Sequence, residues 1–195
     1  MIETPWVVGT RPARPLAAGL GADLHEVPGV AFDPLWSQGA RVEEWRDRQR
    51  RGPGVAAAVV AVWPEVPGPV SVLDLDLDAW TARWETGFAL WFAALSVACE
   101  RCRQGGQVVA VTDRPEAKSG AGWALDSALA DAVEVMAKSL VQVQRPRGVR
   151  VNVVSTSMRL AEAPPTSWAE LHGAVGMLLT TEGPGVNAAV IRVES

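Results

Sequence analysis

Side chains able to do chemistry fall in four places along the chain. Cys99 and Cys102 stand at C-x-x-C spacing. That spacing serves redox or metal chemistry when it meets an electropositive helix N-terminus or a second pair of ligands. Here it lies at the end of a long apolar stretch, and the only two His are far from it in sequence, so two small helix residues are the simpler reading. Asp74, Asp76 and Asp78 alternate along an extended segment and share one face. Converging, they would bind a hard cation through oxygen. Their place before an apolar helix fits capping and solvating its entry instead, and no metal site is expected. Asp113 ends an apolar strand and Asp126 stands near the start of a helix, on either side of a polar loop. Carboxylates brought together split their pKa values and do acid/base work. Apart, they are solvated groups, Asp126 being favoured by the positive end of its helix. Finally, Trp80, Trp84, Phe88 and Trp91 fall at i, i+4, i+8 and i+11, one face of a helix. Such a stripe either covers a sheet or anchors a subunit contact, where large aromatics are enriched.

Composition narrows the classes. A length of 195 residues gives one domain, 1–195, with room for a substantial core, and an apolar fraction of 48% excludes a disordered chain. The net charge of −4 argues against a general nucleic-acid binder. No run of 18 uncharged apolar residues is present, so no membrane span is expected, and Glu3 with no preceding basic region argues against a signal peptide. The expected compartment is the cytoplasm. Two cysteines make no disulfide framework.

The elements that would position these groups alternate between strand and helix. Trp6 to Gly9 and Asp23 to Val27 read as short strands, with an Ala-rich helix from Arg11 to Leu20 between them. Pro12 and Pro15 fit only its first turn. Pro28 to Gly39 reads as loop, and Arg41 to Arg51 as a charged helix with Val42 and Trp45 as its apolar side. Val55 to Trp63 is continuously apolar, as a strand covered on both faces must be. Asp78 is the expected N-cap of a helix from Ala79 to Arg103, stopped by Gly105 and Gly106. Strand Gln107 to Thr112, helix Leu125 to Gln144, strand Val149 to Val154, a helix from Thr166 or Ser167 to Thr180, and strand Ala188 to Val193 complete the order. This alternation predicts an α/β fold: a Rossmann-like, doubly wound, mainly parallel sheet with helices on both faces.

The stretch from Gly106 to Asn152 resembles the catalytic region of the short-chain dehydrogenase/reductase family. Ala137-Lys138-Ser139-Leu140 resembles its helix after the catalytic motif, and Gly148-Val149-Arg150-Val151-Asn152-Val153-Val154 its next strand. Asp78-Ala79-Trp80 with the long helix after it, and the tail from Gly183 to Ser195, are similar to the family's corresponding parts. The likeness covers residues 55–195 well and residues 5–27 weakly. It implies a fold shortened in its N-terminal half, between Ala22 and Gly54, where a second helix and third strand would be expected.

On this resemblance the family's working groups are replaced. The Ser position holds Asp113, the Tyr position Asp126, and the Lys position Ala130. A register shifted by three gives Trp123 and Ser127, and the chain has no Tyr at all. The active-site Asn falls near Glu85 or Thr86, the Pro-Gly pair at Thr156-Ser157, and the Asn-Asn-Ala-Gly run at Val62-Trp63-Pro64-Glu65. Of the glycine-rich turn only Gly9 remains, followed by prolines and arginines. An Asp in the Tyr position has an intrinsic pKa of about 3.9, is ionised unless buried, and would repel cofactor phosphates. The resemblance therefore implies no catalytic residue and no cofactor. In the family the two long helices form the main subunit contact, which implies an interface of Trp80, Trp84, Phe88, Trp91, Val133, Met136 and Leu140. The expectation is a non-catalytic subunit pairing with an active paralogue in a heterodimer or heterotetramer. The alternatives are a stand-alone enzyme or binding protein using Asp113 and Asp126, and a self-associating homodimer.

Overall fold

The computed structural model describes residues 3–28, 35–63, 68–115, 121–157, 167–180 and 185–193. Among these residues six strands form one sheet: β1 (Trp6–Gly9), β2 (Leu24–Glu26), β3 (Val55–Ala61), β4 (Cys102–Asp113), β5 (Arg150–Thr156) and β6 (Val190–Val193). Their order is β2-β1-β3-β4-β5-β6 and every neighbouring pair is parallel. The chain leaves β1 toward β2 and returns to the other side of β1 for β3, so the sheet is doubly wound, with its switch point between β1 and β3.

Helices cover both faces, which is why the central strands read as unbroken apolar runs. On one face α2 (Leu35–Arg50), α3 (Leu77–Arg101) and α4 (Ala124–Gln144) bury Trp45, Trp91, Leu95, Val133 and Ala137 against Val8, Val60, Val108 and Val151. On the other, α1 (Arg14–Gly19) and α5 (Trp168–Thr180) bury Leu16, Leu171, Val175 and Leu178 against Val7, Val59, Val109 and Val154. Consecutive strand residues thus go to opposite layers, as the pleat requires.

Several boundaries differ from the sequence reading. The expected loop from Pro28 to Gly39 gives way by Leu35 to α2, whose Val42 and Trp45 are buried as their spacing implied; residues 29–34 lie outside the described set. Helix α3 starts at Leu77, and its N-cap is Asp76, not Asp78: Asp76 Oδ1 accepts from Ala79 N at 2.7 Å. Asp78 sits in the first turn, where its charge meets the helix's positive end. The same helix ends at Arg101, before the glycines. Arg147, in the turn after α4, donates to the carbonyls of Cys99 (2.9 Å), Glu100 (3.4 Å) and Cys102, satisfying groups the last turn leaves open. Between β2 and β3 the described residues hold one helix and no strand. Ser167 caps α5 in a reciprocal pair: Glu170 N donates to Ser167 Oγ and Ser167 N to Glu170 Oε2. Among the described residues no helix is long and apolar enough to cross a membrane.

Candidate functional site

In a doubly wound sheet, ligands bind outside the carboxyl ends of the strands, at the switch point. Here that region holds Gly9 and Thr10 at the end of β1, Val62 and Trp63 after β3, Asp113 and Arg114 at the end of β4, and Thr156 and Ser157 at the end of β5.

The switch point is laced shut. Thr10 N donates to Ala61 O at 3.1 Å. The Thr10 hydroxyl donates to Trp63 O at 2.5 Å and accepts from Trp63 N at 2.8 Å, using both capacities of one oxygen. Strands β1 and β3 approach so closely that a Cβ on Gly9 would fall 2.0 Å from Ala61 O. The Trp63 side chain is 1% exposed; its Nε1 donates to Val111 O of β4 at 2.8 Å. Trp168 lies against it with ring centroids 6.3 Å apart, and His172 stacks on Trp168 at 5.7 Å.

The turn after β1 departs from the pattern that cradles a dinucleotide. Its pyrophosphate needs backbone N–H groups at the turn after β1 and at the following helix start. Pro12 and Pro15 occupy the second positions of the 3₁₀ turn Arg11–Ala13 and of α1, and proline has no N–H. The remaining glycine serves the contact between strands.

The second half of the region holds the positions expected to be degenerate. Asp126, in the first turn of α4, is 9% exposed, and Arg83 Nη2 of α3 donates to its Oδ2 at 2.8 Å. Arg83 also donates to Gly68 O at 3.2 Å, holding the lead-in to α3 against the start of α4. Burial raises the carboxyl's pKa, with Arg83 opposing the shift by its charge and hydrogen bond. Asp113 is buried beside Thr156, its partner in the β4–β5 register. The reading of the two aspartates as solvated loop and helix-end groups is therefore corrected. Both are buried, and the charge acting on Asp126 is Arg83. Ala130 is buried one turn further along α4. Thr86 is also buried on α3, while Pro64 and Glu65 lie outside the described residues.

The expected interface set divides in two. Trp91 (2% exposed) and Val133 (0%) belong to the core and present nothing to a partner, which corrects their assignment. The reason is helical phase. Four residues advance a helix by one turn plus about 40°, so a ladder at i+4 winds around the axis; eleven residues make three turns plus about 20°. Trp80, Trp84 and Phe88 stack in sequence with centroids 6.5 and 6.1 Å apart and rotate outward. The ladder continues to Phe92, which sequence reasoning missed although its i+12 place was visible. Phe88 is 38% and Phe92 50% exposed, with the Arg46 guanidinium 5.5 Å from the Phe92 ring. Met136 and Leu140 are half-buried against the core, and Val135 and Val143 of α4 are exposed.

The other groups separate. Cys99 and Cys102 straddle the end of α3, both buried free thiols, and desolvation pushes them up to about 12 and about 11 respectively. Among the described residues no three His, Cys, Asp or Glu side chains are placed to hold a metal ion. A groove of about 390 Å³ between β2 and α2 is lined by Glu26, Pro28, Arg41, Glu44, Trp45, Arg48 and Gln49, with Glu26 paired to Gly9 in the β1–β2 register.

These features define a doubly wound α/β domain with the layout of short-chain dehydrogenases, and solved structures bear this out. The chain is similar to a small-chain dehydrogenase (18% identity, TM-score 0.65, covering 98% of this chain and 96% of that one). It is similar to a short chain dehydrogenase from Burkholderia cenocepacia J2315 in complex with NADP (19%, TM-score 0.66, 97% and 86%) and to BdcA in complex with NADPH (19%, TM-score 0.65, 96% and 82%). At this identity the likeness establishes the fold. No family profile and no curated protein matches the sequence.

Proposed function

We propose that this chain is a non-catalytic subunit, built on the short-chain dehydrogenase fold, that pairs with a catalytically intact paralogue in the cytoplasm and supports its structure or substrate entrance. The observation that carries the reading is the Arg83–Asp126 ion pair. On the resemblance it occupies the place of the proton-donating Tyr. Burial raises the pKa of this carboxyl and Arg83 opposes the rise, and a carboxylate paired to a guanidinium is not the phenol with a nearby ammonium that the family's proton transfer uses. The switch point adds support, since Pro12 and Pro15 remove two of the N–H groups its turn could offer a pyrophosphate.

The partner-facing surface in this proposal is the outer side of α3 and α4. From Thr86 to Cys99, α3 carries no ionisable side chain except the Cys99 thiol, yet it exposes Phe88 and Phe92. Apolar aromatic surface without charge is what the centre of a protein contact requires.

The test is co-expression with an intact short-chain reductase of the same genome. Co-purification at fixed stoichiometry, with higher activity or a changed substrate range relative to the reductase alone, is expected. A chain that stays separate and leaves every such reductase unchanged overturns the proposal. A homodimer in light scattering would assign the α3–α4 surface to a second copy. The raised pKa of Asp126 favours one other reading, an acid/base enzyme using Asp113 and Asp126. That reading requires Arg83 to release its carboxylate.

A further inference from the structure

We infer that Trp63 is an internal plug. Its indole takes the room at the carboxyl ends of β1, β3 and β4 where a switch-point ligand would lie, so this chain excludes dinucleotides by filling the crevice. The inference concerns the isolated chain and does not depend on the partner proposed above.

Location carries the argument. Trp63 comes two residues after β3 ends, where a chain normally turns outward into a surface loop. Instead its side chain is among the largest fully buried ones in the molecule. Three contacts hold it there. The Thr10 hydroxyl grips its backbone N–H and C=O, joining the two loops that diverge at an open switch point. The indole N–H reaches Val111 O, so the ring spans from the end of β3 to β4. Trp168 closes it from the α5 side. The lid is anchored in turn: His172, stacked on Trp168, lies so close to α1 that a Cβ on Gly19 would fall 1.9 Å from its ring. A buried tryptophan needs an acceptor for its indole N–H, and here Val111 O supplies it across from β3 to β4. This one replaces the hydrogen bonds and the flat aromatic surface that a bound heteroaromatic ring would otherwise supply.

A specific ligand chemistry follows. With the indole removed, the vacated space has the outline of an indole and keeps the Val111 carbonyl as an acceptor. It fits a planar heteroaromatic ring bearing an N–H donor. Free indole is the probe.

The experiment has two arms. In the first, wild-type protein is titrated with NADH and NADPH by calorimetry up to millimolar concentration. No binding is expected, and a micromolar Kd for either nucleotide overturns the inference. In the second, Trp63→Gly is made, and its thermal midpoint is expected to fall by about 6–12 °C. Millimolar indole should then raise the midpoint of the variant by several degrees and that of wild type by less than about 1 °C. Equal shifts in the two, or none in the variant, overturn the plug. Should Trp63→Gly not fold, Trp63→Val, which keeps a smaller apolar side chain at the same place, is read against indole with the same two outcomes.

Discussion

The Arg83 guanidinium bonds the Asp126 carboxylate at 2.8 Å, joining α3 to the first turn of α4 through two side chains that are 20% and 9% exposed. Burial alone would favour the neutral acid. The pair keeps the charge tolerable, and the domain carries the residual cost.

That cost has a pH signature. The folded pKa of Asp126 lies above its usual 3.8, so the native state holds the proton more tightly than the unfolded chain. Such a group favours folding below the unfolded pKa, and the benefit is lost as pH rises through the folded pKa. Urea unfolding measured from pH 3 upward should therefore show a falling contribution that starts near pH 4 and vanishes in Asp126→Asn. Arg83→Met should cost about 3 kcal/mol at pH 7, near the low end for breaking a buried pair because Arg83 keeps some exposure, and much less at pH 3. An equal cost at both pH values would mean that packing, not charge, is what Arg83 provides.

Gly9 tests whether the remaining glycine is structural. A methyl group there would meet Ala61 O at 2.0 Å. Gly9→Ala should destabilise the isolated protein by at least about 3 kcal/mol with no nucleotide present, read as a lower urea midpoint. A variant as stable as wild type would return Gly9 to a ligand-binding role.

The two thiols should be inert in the folded state. With pKa values of about 12 and about 11, Cys99 and Cys102 have thiolate fractions at pH 8 of about one in ten thousand and one in a thousand. Labelling by a disulfide reagent at pH 8 should be negligible natively and complete in denaturant. Rapid native labelling of either residue would show that the end of α3 opens readily.

The aromatic residues of α3 should separate into two kinds. Trp91→Ala removes core and should cost about 3–5 kcal/mol. Phe88→Ser with Phe92→Ser removes exposed surface and should leave the thermal midpoint within about 2 °C, while abolishing co-purification with the proposed partner. The reverse pattern would misplace the contact surface.

Much of this layout was legible in the sequence. Alternating strand and helix patterns, with continuously apolar central strands, determined a doubly wound parallel sheet because each pattern reflects one element and the side it buries. Val42 and Trp45 on α2 were legible for the same reason. The presence of Asp126, and the lack of any Tyr, were equally plain. What only the tertiary structure decided are relations between residues distant in the chain. Arg83 meets Asp126 across 43 positions, and the Thr10 hydroxyl meets Trp63 across 53. Trp91 and Phe92 are neighbours in sequence, yet one is core and the other surface. Local propensity reports whether a segment is helical and which residues share a side. It does not report how the helix is rotated against the sheet, and that rotation, set by packing all the layers at once, determines which aromatics meet solvent and which carboxylate meets a cation.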